Sequence, residues 1–85
     1  MYAVEISQRS LNFLGKLDRH LKERIEDRLR KLATTQISSD TKFICRDRGE
    51  KVFRCRIGDY RALYKVKHKD KRVLVTKIEK RPKAY

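Results

Sequence analysis

Three arginines lie close together in the segment FRCRIGDYRALY, residues 53 to 64. Arg54 and Arg56 precede the pair Gly58-Asp59, and Arg61 follows it. Arginine carries a planar, forked guanidinium group that suits two-point recognition of phosphate. Because its pKa lies above about 12, the group stays charged and is a poor proton acceptor. The segment therefore predicts a site that binds negative charge.

The same segment has the pattern of a β-hairpin. Alternating residues predict strands at 51–57 and 60–67, and glycine at the first position of a two-residue connection favours a type II′ turn. The predicted opposite pairs are Ile57 with Tyr60, Arg56 with Arg61, Cys55 with Ala62, Arg54 with Leu63, and Phe53 with Tyr64. This register places Arg54, Arg56, Arg61, Leu63 and Lys65 on the face away from the core.

Like charges opposite each other destabilise a strand pair, so Arg56 opposite Arg61 favours an anionic ligand on this face. The alternative is a solvated face whose guanidinium groups are splayed apart and screened by water. A third strand at 72–78, with Lys67 opposite Arg72, puts Leu74, Thr76 and Ile78 beside the arginines. Leucine and tyrosine among arginines are typical of surfaces that clamp phosphates and stack bases.

The first half of the chain predicts a strand and two helices. Alternation at residues 2–6 indicates a short strand, and Ser7 and Asp18 are suitable N-caps. The apolar helix positions are Leu11, Leu14 and Leu17, then Leu21, Ile25, Leu29 and Leu32. One continuous helix through Gly15 is the alternative, since glycine costs about 1 kcal/mol there. Residues 34–41 predict a polar loop.

These elements predict a single α+β domain over residues 1–85. It has an N-terminal strand, a two-helix hairpin and a three-stranded antiparallel meander, with both helices on one face of a small twisted sheet. No apolar run approaches the roughly 20 residues of a membrane span, and the N-terminus lacks signal-peptide features. We therefore expect a soluble, cytoplasmic protein with no membrane association.

Charge is unevenly distributed along the chain. The formal net charge is +13; residues 1–41 contribute +2 and residues 42–85 contribute +11. A generally charged surface, as in thermophiles, predicts balanced signs. The asymmetry instead favours a polyanionic partner, meaning nucleic acid, an anionic membrane or an acidic protein.

The cysteines and histidines do not have metal-site spacing. Cys45 and Cys55 predict free thiols, and His20 and His68 are too scattered to complete four ligands. We expect no metal and no cofactor, and we expect His20 to be structural.

The order of elements, the segment FRCRIGDYRALYKV and the ending EKRPKAY resemble the RelE/ParE toxin superfamily, its RelE branch in particular, over nearly the whole chain. The resemblance implies a ribosome-dependent mRNA endonuclease that a cognate acidic, RelB-like antitoxin inhibits. Its partners would be the ribosome and mRNA. The reaction would be attack of an RNA 2′-hydroxyl on the adjacent phosphorus.

By this resemblance, the catalytic residues are Arg61, Arg81 and Tyr85, with both arginines stabilising phosphoryl charge. The RNA-binding residues are Arg54 and Arg56 by the same resemblance, Lys65 because it shares their face, and Lys80 and Lys83, one or the other of which could occupy part of the position matched to Arg81. Better-known members have lysines at the positions of Arg54 and Arg56, so electrostatic stabilisation is the natural role for the arginines here. Two alternatives share the scaffold: a ParE-type inhibitor of DNA gyrase, and a basic RNA-binding module without catalysis.

Overall fold

The computed structural model describes residues 1–81, which form one five-stranded mixed sheet, two α-helices and a 3-10 turn. The strands are β1 Ala3–Ile6, β2 Thr41–Asp47, β3 Glu50–Ile57, β4 Tyr60–Lys67 and β5 Arg72–Lys80. The helices are α1 Gln8–Gly15 and α2 Arg19–Arg30, followed by the 3-10 turn Lys31–Ala33. The sheet order is β1-β5-β4-β3-β2, with β1 parallel to β5 and the other pairs antiparallel. The α+β prediction is confirmed.

The two helices begin at the predicted caps. Ser7 and Asp18 accept hydrogen bonds from the backbone N–H groups of Ser10 and Leu21, which are among the donors of the first helical turn that lack an internal partner. Helix α1 ends at Gly15, so the chain forms two helices rather than one.

The hydrophobic core lies between these helices and one face of the sheet. Its fully buried side chains include Leu14, Ile25 and Leu29 from the helices and Tyr64, Val73 and Val75 from the sheet. Cys55 is also buried there, and burial raises the pKa of its thiol. None of the helices in residues 1–81 is long and apolar enough to cross a membrane.

Strand β2 was not predicted, so the antiparallel part of the sheet has four strands rather than three. It joins β3 through a tight turn in which Arg48 and Gly49 both have positive φ, 53° and 83°. This is the backbone of a type I′ turn, which usually contains asparagine, aspartate or glycine at its first central position. Arginine gives no turn signal there, and the hairpin is therefore hard to recognise from the sequence.

The register of the β3–β4 hairpin agrees with the prediction at all five residue pairs. The register of β5 was predicted wrongly beyond Val75, because a β-bulge in β5 at Thr76 shifts the pairing by one residue. Ile78 therefore points into the core, where it is buried, and Glu79 instead lies opposite Arg61.

The segment between α2 and β2 is held by hydrogen bonds on two sides. Arg28 on α2 donates to Asp40 at 2.7 Å and to Ser38 at 3.3 Å. The bond from Arg28, followed by one that the Ser38 hydroxyl donates to Asp40 at 2.5 Å, lowers the pKa of the Asp40 carboxyl. From the sheet, the Tyr64 hydroxyl donates to the Gln36 carbonyl at 2.6 Å. Burial raises the pKa of Tyr64 to about 12, so this hydroxyl remains a protonated structural donor.

Candidate nucleic-acid interface

The side of the sheet away from the helices, here called the open face, carries most of the predicted binding residues. Strand alternation places Arg54 and Arg56 of β3 and Arg61 of β4 on it, with Leu63 between them. Arg81 follows β5, and its backbone N–H donates to the Asp59 carbonyl at 2.7 Å. Its guanidinium Nη1 donates to the Gly58 carbonyl at 3.2 Å, which tethers Arg81 to the β3–β4 turn.

In this group of four arginines, here called the arginine cluster, three are close enough to Arg56 to perturb it. The pKa of the Arg56 guanidinium is lowered, first by the charge of Arg54 and then by the charges of Arg81 and Arg61. Among residues 1–81, neither Arg54 nor Arg56 forms an ion pair with a carboxylate. Like charges gathered without a counter-ion favour a phosphate ligand at this position.

Arg61 differs from its neighbours because it has an internal carboxylate partner. Its Nε donates to Glu79 Oε2 at 2.5 Å, and Lys77 Nζ lies 3.0 Å from Glu79 Oε1. The bond from Lys77, together with the bond and charge of Arg61, lowers the pKa of the Glu79 carboxyl. Glu79 is therefore ionised at neutral pH and offsets part of the repulsion that the Arg56–Arg61 pair creates. This pair was not predicted, because the predicted register put Ile78 opposite Arg61.

The lysines predicted to bind RNA occupy other positions. Lys65 shares the open face, but its ammonium lies 2.8 Å from Asp47 and 3.4 Å from Glu50, toward the far end of the hairpin. Lys80 is opposite Tyr60 and, by strand alternation, is on the helix side of the sheet, so it is not beside the cluster. Lys83 and Tyr85 lie outside the described residues.

Base stacking on this face has weaker support than the sequence suggested. Tyr60 and Tyr64 both lie on the helix side; Tyr60 contacts Phe13 edge-on with ring centroids 5.9 Å apart, and Tyr64 is fully buried. Within residues 1–81, the partly exposed apolar side chains among the cations of the open face include Leu63 and Leu74.

One further cation joins the cluster from the strand that was not predicted. Lys42 of β2 pairs with Arg54 of β3, so both side chains project from the same face. Lys42 is exposed and, within residues 1–81, has no ion-pair partner. Lys42 could have been placed beside Arg54 if the β2–β3 turn had been recognised, but arginine is an unusual residue at the position of Arg48.

Comparison with solved structures places this architecture among RelE toxins. The chain is 26% identical to a chain of the archaeal RelE-RelB complex from Pyrococcus horikoshii OT3, with a TM-score of 0.86 and 98% of both chains covered. It is also similar to the toxin-antitoxin complex RelBE2 from Mycobacterium tuberculosis (20% identity, TM-score 0.77, 94% of this chain and 98% of that chain). The isolated E. coli RelE toxin matches at 19% identity and a TM-score of 0.74, with 99% and 88% covered.

The sequence model of one family covers almost the whole chain. The family is described as the ParE toxin of type II toxin-antitoxin system, parDE, and the match spans residues 4–85. The chain therefore belongs to this family of the RelE/ParE superfamily and is a type II toxin. No individual curated sequence matches it significantly.

Proposed function

We propose that this toxin is a ribosome-dependent mRNA endonuclease of the RelE type, acting in the cytoplasm. The observation that carries the proposal is the arginine cluster on the open face, in which the pKa of Arg56 is lowered by the other three guanidinium groups. A ligand with several negative charges relieves this repulsion, and an RNA backbone is such a ligand. The Leu63 side chain beside the cluster provides apolar contact for a nucleotide.

The proposed reaction is attack of a 2′-hydroxyl oxygen on the neighbouring phosphorus. The new O–P bond forms a 2′,3′-cyclic phosphate, the bond to the 5′-oxygen breaks, and that oxygen takes up a proton as the 2′-hydroxyl loses one. Negative charge grows on the phosphoryl oxygens during this step. Fixed donors aimed at such charge are usually the largest catalytic term, and Arg61 and Arg81 are assigned this role.

Two fixed contacts support the assignment. The Glu79 carboxylate holds the Nε of Arg61, which leaves the terminal nitrogens of the guanidinium for phosphate. The Gly58 carbonyl holds one terminal nitrogen of Arg81. Preorganised donors need no reorientation during the reaction, and this is the basis of their effect.

Proton transfer is assigned to Tyr85, on the strength of the family resemblance. A phenol acting as a base needs a pKa below the usual value of about 10, and cations close to a phenol lower its pKa. Glu79 is a weaker candidate, because Lys77 and Arg61 lower its pKa and so make it a poorer base. Arg54, Arg56 and Lys83 are assigned to the RNA backbone. Lys65 and Lys80 have smaller assigned roles, given their positions.

The proposed inhibitor is an acidic, amphipathic antitoxin. A partner of this kind complements a chain of net charge +13. It would also cover Phe43 and Ile44 on the edge strand β2, which are 49% and 45% exposed. The similar structures from Pyrococcus horikoshii and Mycobacterium tuberculosis are complexes of toxin with antitoxin.

The test is to map mRNA 5′ ends in a translating extract, and in the same extract after removal of its ribosomes, for wild type, Arg61→Ala and Arg72→Ala. We expect cleavage inside codons only with ribosomes, and a loss of roughly 10²-fold or more in Arg61→Ala. Arg72 is the matched control: it lies on the same face and pairs with Glu5. Along β5, Arg72 also lies seven residues from Glu79, the residue opposite Arg61, which corresponds to about 23 Å. Intact mRNA with wild-type toxin would overturn the proposal.

The second candidate is ParE-type inhibition of DNA gyrase, which the family match favours. A supercoiling assay with purified gyrase separates the two functions. Inhibition of supercoiling with intact mRNA supports the ParE reading. RNA binding with neither cleavage nor gyrase inhibition would support a non-catalytic RNA-binding module.

A further inference from the structure

A second group of cations lies around a cleft between α2 and the β3–β4 turn, on the helix side of the sheet. The cleft has a volume of about 340 Å³ and is bordered by Arg24 and Arg28 of α2, by Lys31 of the 3-10 turn that continues it, and by Arg56 and Gly58 of the hairpin. Arg24, Arg28 and Lys31 are spaced by four and three, so they project from one side of α2 and its continuation. This cationic stripe was not part of the predicted site.

Arg24 lies directly against the turn. A Cβ atom on Gly58 would be 3.2 Å from Arg24 Nη2 and 3.4 Å from its Cζ. The glycine thus leaves space for the guanidinium beside the turn backbone. Because Arg81 is tethered to the carbonyl of the same Gly58, both arginines sit next to one turn.

Two carboxylates of this region are bound to other residues. Asp27, on the border of the cleft, pairs with Arg30, and Asp40 pairs with Arg28. Within residues 1–81, Arg24 and Lys31 have no ion-pair partner, and both are exposed. The cleft therefore offers two free cations to a ligand.

Arg56 connects the cleft to the open face. Strand β2 begins at Thr41, opposite Cys55, so β3 has no neighbour on that side at Arg56 and Ile57. Arg56 therefore lies at an edge of the sheet where β3 has no strand beside it. Its pKa is lowered by Arg54, Arg81 and Arg61, while its side chain also borders the cleft. The cations form a continuous path around this edge.

We propose that Arg24 and Lys31 bind the phosphate backbone of the RNA strand whose reacting segment occupies the arginine cluster. The strand passes Arg56 and continues along α2. This inference rests on the proposed function, because it assumes RNA on the open face. It adds a second contact region, formed by a helix, for the nucleotides beyond the reacting step.

The experiment measures binding of uncleavable 2′-O-methyl RNA oligonucleotides of three and ten nucleotides across a salt titration. The test variant is Arg24→Gln/Lys31→Gln. The matched control is Lys16→Gln/Lys22→Gln, which removes the same charge from exposed lysines of the helical region that do not border the cleft. Each neutralised phosphate of a single strand contributes about 0.7 to the slope of log K against log salt.

We expect the test variant to lose about 1.4 from the slope for the ten-nucleotide RNA, at 0.7 for each lost contact. Its slope for the three-nucleotide RNA, and both slopes of the control, should equal those of wild type. Equal slopes for test and control with the longer RNA would overturn the inference. So would equal losses with both RNA lengths, or wild-type binding that does not depend on salt. Codon cleavage on ribosomes tests the proposed function separately.

Discussion

Arg61 is repelled by one neighbouring charge and attracted by another. It faces Arg56 across the β3–β4 hairpin and Glu79 across the β4–β5 pair. The carboxylate orients the guanidinium, but it also competes with an incoming phosphate for the same positive charge. Under the proposed function, Glu79 therefore gives Arg61 a fixed position at the expense of affinity for RNA.

Glu79→Gln should make RNA binding tighter and more dependent on salt. The amide still accepts a hydrogen bond from Arg61, while its lost charge frees about one cation for a phosphate. We expect the log–log salt slope to steepen by about 0.7, measured by fluorescence anisotropy with an uncleavable 2′-O-methyl RNA. Glu23→Gln is the control, because it makes the same charge change in an exposed pair with Arg19 on α2. An unchanged slope in Glu79→Gln would contradict the prediction.

The β3–β4 turn is the element that brings the arginine cluster and the α2 cations together. Gly58 has a φ of 59°, which glycine adopts without strain, whereas Asp59 has a negative φ. This combination fits the predicted type II′ turn and excludes type I′, which needs positive φ at both positions. The glycine also lies against Arg24 and Arg81 through its missing side chain and its carbonyl.

Gly58→Ala should destabilise the fold by about 1–2 kcal/mol, because an L-residue is strained at this positive φ. The new methyl group also presses against Arg24. Gly15→Ala is the matched control: nothing lies within 4 Å of its added Cβ, and glycine weakens a helix. We expect Gly15→Ala to stabilise by up to about 1 kcal/mol. Urea unfolding midpoints measure both, and equal stability of the two variants would refute the argument from φ.

At this scale the sequence predicted those elements whose local signals agree with their environment. Ser7, Asp18 and Gly58 have the residue types that caps and turns require, so the helices and the β3–β4 register were predictable. Strand β2 was not, because Arg48 adopts positive φ without a residue type that signals it. The bulge at Thr76 was also hidden, since periodicity cannot show an inserted residue.

The candidate site was predictable to the same extent. The prediction that Arg54, Arg56 and Arg61 share a face was correct, because the register of the hairpin was predicted correctly. Glu79 and Lys42 depend on the β5 bulge and on strand β2, respectively, so they could not be placed beside the arginines. The cleft at Arg24 depends on how α2 packs over the turn, which is a tertiary contact that no local pattern records.

For the whole molecule, net charge and ion pairs act over different distances. Pairs such as Lys65 with Asp47 are in contact at 2.8 Å, well inside the Debye length of about 10 Å at 0.1 M salt. Salt therefore weakens them less than it weakens repulsion between separated like charges. With a net charge of +13, repulsion among unpaired cations is the larger salt-dependent term.

Added salt should consequently stabilise the folded toxin while it weakens RNA binding. Between 0.05 M and 0.5 M sodium chloride we expect the thermal midpoint to rise by several degrees, since 1 kcal/mol corresponds to roughly 4–8 °C in a domain of this size. Arg54→Gln/Arg56→Gln should show a smaller rise in the midpoint, because two mutually repelling charges are gone. The control is Arg19→Gln/Arg72→Gln, which removes the same amount of charge from residues that are paired with Glu23 and Glu5. Midpoints from circular dichroism measure the effect, and a midpoint that falls with salt would mean that attraction within the ion pairs outweighs the repulsion of the net charge.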